Sequence, residues 1–213
     1  MKITFHGHAC ILIEGSRKVI FDPFLNGNPS AVIKADDLSA IDYILVTHDH
    51  MDHLGDSEII SKKTGATVVA IHELSVVFQE KGLKSEGMNI GGTIELPGIK
   101  VHMVNAVHSG GATGLILELD GKMLYHSGDT ALFSDMELYG EFFSIDMAFL
   151  PIGDRYTMGP ASAARAVELL RVPKVVPIHH STFPLLTGRP EDFRKLVKTA
   201  EVIVLSPGQS CEL

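Results

Sequence analysis

The chain has no tryptophan, only two cysteines and 7% aromatic residues. Cys10 lies in an apolar strand-like pattern and Cys211 near the C-terminus, with no CxxC or other metal-like spacing, so two buried or half-buried free thiols are expected. Long apolar runs are missing as well. Stretches such as Val202-Ile203-Val204-Leu205 are strand-sized, which argues against a membrane-spanning helix. The first residues, Met1 to His6, enter an alternating pattern at once without the apolar core of a signal peptide, and a cytoplasmic location is expected. Basic runs are equally scarce: Lys62-Lys63 is the densest, and 18 Lys+Arg against 26 Asp+Glu give a formal charge of −8. Proteins that grip long nucleic acid carry a basic stripe, so no such partner is expected. There is no Gly-x-Ser-x-Gly, which argues against a serine hydrolase.

What is present is an ordinary globular composition, 45% hydrophobic and 21% charged, over 213 residues. That length buries one substantial core and is short for two, so a single domain over 1–213 is expected. Neither a linker nor a tandem repeat interrupts it. The opening reads as strands over 2–6, 9–14 and 17–21, and 42–46 is a short apolar strand ending at Thr47-His48. A helix over 57–64, a strand over 67–71 and a helix over 73–81 follow. Strands are predicted over 100–108, 114–120 and 122–126. The last third alternates: helix 134–143, strand 146–150, helix 160–171 with Pro160 at its start, strand 174–177, helix 191–200 and strand 202–205. Two strand-rich blocks, each with helices, imply two sheets face to face with helices outside, in the layer order αββα.

The decisive segment is Thr47-His48-Asp49-His50-Met51-Asp52-His53. It sits just after a strand and just before a helix, where a scaffold presents functional groups. His48 and His50, two apart, can point the same way from extended backbone, and Asp52 and His53 continue into the turn. His108, Asp129 and His179 each follow an apolar strand, and strand ends converge at one edge of a sandwich. Zinc favours imidazole nitrogen and carboxylate oxygen. Seven such ligands suit two metal ions with Asp129 bridging.

His48-x-His50-x-Asp52-His53, then His108, Asp129 and His179, resembles the metallo-β-lactamase superfamily pattern. More closely, the chain resembles the compact metal-dependent hydrolases of bacteria and archaea. His6-Gly7-His8-Ala9, Phe21-Asp22-Pro23-Phe24, the stretch from His126 to Met136, Leu150–Asp154 and Pro177-Ile178-His179 carry that likeness, spread over nearly the whole chain. The resemblance implies the αββα sandwich, a first metal on His48, His50 and His108, a second on Asp52, His53 and His179, and Asp129 shared. Two features depart from it: the loop Ser109–Thr113 is short, and His180 stands where relatives often carry tyrosine.

Asp22 matches the superfamily's early aspartate and is expected to accept a hydrogen bond from a ligand imidazole. His8 can line the site or make a structural hydrogen bond. His180 is a candidate catalytic proton donor or substrate contact, and Tyr156 and Met158 are candidate pocket walls. His6, His72, His102 and His126 are read as structural. The expected chemistry is hydrolysis by a metal-bound hydroxide, oriented by Asp52, on a small ester, lactone or phosphodiester. Zinc is the favoured metal, with manganese, iron and nickel also suited to the donors. A small-molecule substrate is expected, no membrane, and a homo-oligomer is compatible with this composition. Two rivals use the same fold. A di-iron redox protein would place an acid at His50 and need a flavin-bearing partner domain. A non-catalytic metal-binding module need not keep all seven ligands.

Overall fold

Strands here are apolar on both faces because each sheet is covered twice. In the computed structural model, which describes residues 1–213, the first sheet contains β1 (Lys2–Gly7), β2 (Cys10–Glu14), β3 (Lys18–Phe21), β4 (Tyr43–Leu45), β5 (Thr67–Ile71) and β6 (Ser85–Met88). The second contains β7 (Thr93–Leu96), β8 (Ile99–Asn105), β9 (Thr113–Leu119), β10 (Lys122–His126), β11 (Met147–Pro151), β12 (Lys174–Ile178) and β13 (Glu201–Val202). A last strand, β14 (Ser210–Glu212), returns to the first sheet beside β1. Pairing is antiparallel across β14-β1-β2-β3 and parallel through β4, β5 and β6. The second sheet repeats the scheme, antiparallel across β7-β8-β9-β10 and parallel through β11, β12 and β13.

The strand period of two sorts residues between layers. Leu45 and Phe149 point into the core between the sheets, where they join Phe5, Phe21, Leu117 and Ile178. Their neighbours Ile44 and Ala148 point outward under helices. After the single turn α1 (Met51–Leu54), α2 (Ser57–Thr64) and α3 (His72–Glu80) cover the first sheet through Ile60, Leu74 and Phe78. The second sheet is covered by α4 (Met136–Phe142), α5 (Pro160–Leu170) and α6 (Pro190–Leu196), through Met136, Ala163, Val167 and Phe193. The architecture is the αββα sandwich, and no helix is long and apolar enough to cross a membrane. Cys10 is buried, Cys211 half-buried, and both are free.

Three expectations shift. The strand predicted over 100–108 stops at Asn105, because beyond it the Val107 N–H donates to Thr130 Oγ1 and its carbonyl accepts from Ala131. His108 therefore sits on a loop tied to the segment carrying Asp129. The helix predicted over 191–200 ends at Leu196, where buried Val197 turns extended, and β13 is only two residues long. β6, β7 and β14 are strands the pattern did not announce. All three lie at or next to sheet edges and carry exposed Glu or Ser, so they lack the apolar signature of the covered strands.

Candidate metal centre

β4 runs out of the core at Leu45, and its continuation delivers the ligand cluster. The chain is still extended at His50 and then enters α1, where the N–H groups of His53 and Leu54 both donate to the His50 carbonyl. That sharp change separates His48 and His50 on one side from Asp52 and His53 on the other. From the second sheet, the segments after β8, β10 and β12 bring His108, Asp129 and His179. These strands point the same way, so their C-terminal ends share one edge. The Asp129 loop passes close against the first sheet at Gly128 (φ 59°), where a Cβ would lie 2.7 Å from the Thr113 carbonyl and 2.9 Å from Thr47 Cβ. Only glycine fits that combination of left-handed backbone and contact.

The side chains converge in two groups. His50 Nδ1 is 3.0 Å from His48 Nε2 and 3.4 Å from His108 Nε2. Two nitrogens on one tetrahedral zinc, each at about 2.0–2.1 Å, sit about 3.3 Å apart, so this spacing is that of co-ligands. In the second group, His179 Nε2 is 3.8 Å from Asp52 Oδ2 and 3.2 Å from Asp129 Oδ2, while Asp129 Oδ1 is 3.2 Å from His53 Nε2. Asp129 Oδ2 is also 3.6 Å from His108 Nε2, so this carboxylate reaches both groups. Three atoms facing one another here, His53 Nε2, Asp129 Oδ1 and His179 Nε2, are buried with no hydrogen-bond partner. Each such atom costs about 1–3 kcal/mol if left alone, and a divalent cation among them removes that cost. The donor set fits metal ions.

Buried beneath the ligands, Asp22 accepts from the Thr47 N–H at 2.8 Å, from Thr47 Oγ1 at 2.7 Å and from His53 Nδ1 at 2.7 Å. Thr47 Oγ1, having given its proton to Asp22, accepts from His48 Nδ1 at 3.0 Å. One carboxylate thereby fixes the tautomer of two imidazoles, leaving the Nε2 lone pairs of His48 and His53 free to bind metal. Burial pushes the Asp22 carboxyl up, but the His53 ring outweighs it and holds the group below the usual range. For His53 itself, burial works downward, and the carboxylates of Asp129 and Asp22 raise its pKa well above that of ordinary histidine. His48 falls to about 3, through burial first and then the neighbouring His53. His8, in the turn between β1 and β2, donates from Nε2 to Asp52 Oδ2 at 3.0 Å, and its Nδ1 lies 3.0 Å from Thr182 Oγ1. It also joins Asp52, His53 and His179 as a group able to hold an ion.

A cavity of about 520 Å³ opens onto this centre, with His50, Asp52, His108, Asp129 and His179 on its floor. A larger hollow of about 620 Å³, around Glu95, Lys100, Lys122 and Asp146, lies at the opposite end of the second sheet and contains none of the ligands. Tyr156 lines the cavity at the metal centre. Met158 does not: it is 2% exposed, packed in the core beneath α5, and its N–H donates to the Thr130 carbonyl. A pocket-wall role for it is therefore corrected to support of the Asp129 loop. His180 is not brought to the cavity either. His179 has a left-handed backbone (φ 52°), and the next ring turns to stack on Phe5 at 6.1 Å, where burial lowers its pKa to about 4. Ser109, from the short loop after His108, and Phe183, Leu185 and Leu186 complete the walls; the last three were not anticipated. Their signal was available in Phe183-Pro184-Leu185-Leu186, apolar residues in a proline-containing loop directly after a ligand.

A family model described as the β-lactamase superfamily domain matches residues 17–180. The UPF0173 metal-dependent hydrolase of Archaeoglobus fulgidus is 48% identical, over 100% of this chain and 99% of its own. That of Pelotomaculum thermopropionicum is 46% identical over the whole of both. Among solved structures, Igni18, a metallo hydrolase from the hyperthermophilic archaeon Ignicoccus hospitalis, superposes with a TM-score of 0.93 at 37% identity. The match covers 100% of this chain and 98% of Igni18.

Proposed function

This chain belongs to the metallo-β-lactamase superfamily as a UPF0173 metal-dependent hydrolase, and on that premise we propose that it holds two divalent ions and hydrolyses a small ester, lactone or phosphodiester. The observation that carries this reading is the position of Asp129, whose two oxygens face His53 on one side and His108 and His179 on the other. His48, His50 and His108 would hold one ion and Asp52, His53 and His179 the other, with Asp129 within reach of both. Zinc suits these donors best, and manganese, iron and nickel are also served by them. Bound there, such ions supply Lewis acidity and can lower the pKa of water from 15.7 to about 7.

The rest of the chemistry belongs to the chain. Asp22 and Thr47 hold the His48 and His53 rings with Nε2 forward. Asp52, a third exposed to the cavity and steadied through Oδ2 by His8, orients the attacking water. Ser109 and Tyr156 supply uncharged hydroxyls on the wall that orient the substrate. A cytoplasmic single domain acting on a small molecule goes with this reading.

Elemental analysis of protein reconstituted with excess zinc, manganese or iron tests it. Two ions per chain are expected, and saturation at one would overturn the binuclear centre. The loaded protein is then offered lactones, thioesters, bis(p-nitrophenyl) phosphate, cyclic nucleotides, structured RNA and a β-lactam. Turnover of a small ester, lactone or phosphodiester is expected. Efficient, salt-sensitive RNA cleavage with weak turnover of every small substrate would overturn the substrate reading, as would turnover of the β-lactam alone.

A further inference from the structure

The walls of the cavity have a one-sided chemistry. Above the ligands stand Tyr156, Phe183, Leu185 and Leu186, with Ser109 the other polar wall residue, and no lysine or arginine lines the space. Three of these four large side chains are solvent-exposed: Tyr156 54%, Phe183 37% and Leu185 48%. Large exposed apolar side chains scattered singly mean little, but gathered around one opening they mark a contact surface. Arg155 is the basic group placed beside a wall residue, and its guanidinium lies 5.6 Å over the Tyr156 ring rather than in the lining.

We propose that the substrate is an uncharged ester or lactone carrying an apolar arm, rather than a phosphodiester. This deepens the hydrolase reading above and rests on it. Many phosphoryl-transfer sites, kinases and nucleotide hydrolases among them, add arginine or lysine to their metal ions around the charged oxygens. Here no lysine or arginine lines the cavity to receive the further oxygens of an anion, so their compensation would fall to the ions alone. A neutral acyl group needs no such compensation, and its arm can lie against Phe183, Leu185 and Leu186, exchanging water contact for apolar contact. The volume of about 520 Å³ suits a small organic molecule and is open enough to admit one. In the reaction, the oxygen of water bonds to the carbonyl carbon and the bond from that carbon to the alcohol oxygen breaks. One water proton ends on the alcohol, and the acid ionises to release the other.

The loop bearing this wall is tied to the centre. Thr182, next to Phe183, lies 3.0 Å from His8 Nδ1, and His8 Nε2 donates to Asp52. Leu186 is 3% exposed and anchors the far side, its N–H donating to the Phe183 carbonyl. The apolar wall is therefore held in register with the carboxylate that faces the substrate.

The test is a chain-length series of p-nitrophenyl esters, acetate to octanoate, beside bis(p-nitrophenyl) phosphate, on metal-loaded protein. kcat/KM should rise by up to about fourfold per methylene until the wall is covered, and the esters should exceed the phosphodiester. Phe183→Ala and Leu185→Ala should flatten the rise, whereas Phe142→Ala, on α4 away from the cavity, should leave it intact. A readout independent of turnover is the thermal shift produced by n-alkyl carboxylates, expected to grow with chain length and to exceed that of inorganic phosphate. Rates or shifts flat in chain length would overturn the proposal, as would preference for the phosphodiester or a greater loss from Arg155→Ala than from Phe183→Ala. Preference for the phosphodiester leaves the hydrolase reading standing, whereas no turnover of any substrate sinks both.

Discussion

The two sheets follow one scheme, antiparallel strands followed by parallel ones, yet they furnish the candidate metal centre in opposite ways. The first sheet spends a single strand end on it: β4 alone leads to His48, His50, Asp52 and His53. The second gives one residue from each of three strand ends, His108, Asp129 and His179, none useful without the others. A local cluster is assembled by backbone geometry over one turn. A dispersed set exists only when β8, β10 and β12 are in register, so its precision is borrowed from the core. The aspartates beside the centre show the same contrast. Asp22, after β3, touches ligands from its own sheet, whereas Asp129, after β10, reaches ligands from both.

If Asp129 joins what the two sheets contribute separately, Asp129→Ala should cause the largest loss, lowering bound metal to about one ion per chain or less and abolishing turnover. Metal content equal to that of the parent protein would break the comparison, since the second sheet would then have no bridging role. Asp22→Ala should act more gently, weakening metal affinity about 10–100-fold while the stoichiometry at saturation stays the same. Competition with a chelator measures this, and loss of one site outright would mean that Asp22 does more than orient rings. His180 sharpens the contrast from its other end, because it neighbours a ligand but faces Phe5. His180→Ala should change kcat/KM by less than about twofold, and a bell-shaped pH profile that loses one limb in this variant would restore it as a proton donor.

How much was legible beforehand follows the same division. The His48–His53 cluster and the strands flanking it could be read because neighbouring residues settle them: α2 begins and ends at the expected residues, and so do β5 and β10. The family resemblance supplied the pairing of dispersed ligands, which periodicity alone does not give. The edge strand β6 was invisible because Ser85-Glu86-Gly87-Met88 holds a single apolar residue and buries only its two ends, so it shows neither an apolar run nor an alternation. Met158 was misjudged because its loop folds inward at Asp154 and Arg155, both left-handed, and such turns depend on the packing of Thr130 against it. His180 was misjudged because the side on which a residue emerges after a left-handed His179 is not written in residue type. The apolar wall was missed for a simpler reason: hydrophobic residues in a loop look like core until a cavity is found beside them.

Each group of ligands draws from both sheets: His108 faces His48 and His50, and His179 and Asp129 face Asp52 and His53. An ion bound there is consequently also a clasp across the sandwich, present in the folded chain and absent once the sheets part. Folding and metal supply become linked quantities. At a free-ion concentration one hundred times the dissociation constant, a single such site adds about 2.7 kcal/mol to the folded state. That is a substantial fraction of the few kcal/mol by which globular proteins outlast their unfolded chains. The residues proposed to hold the ions would thus make the endurance of the fold a function of the metal around it.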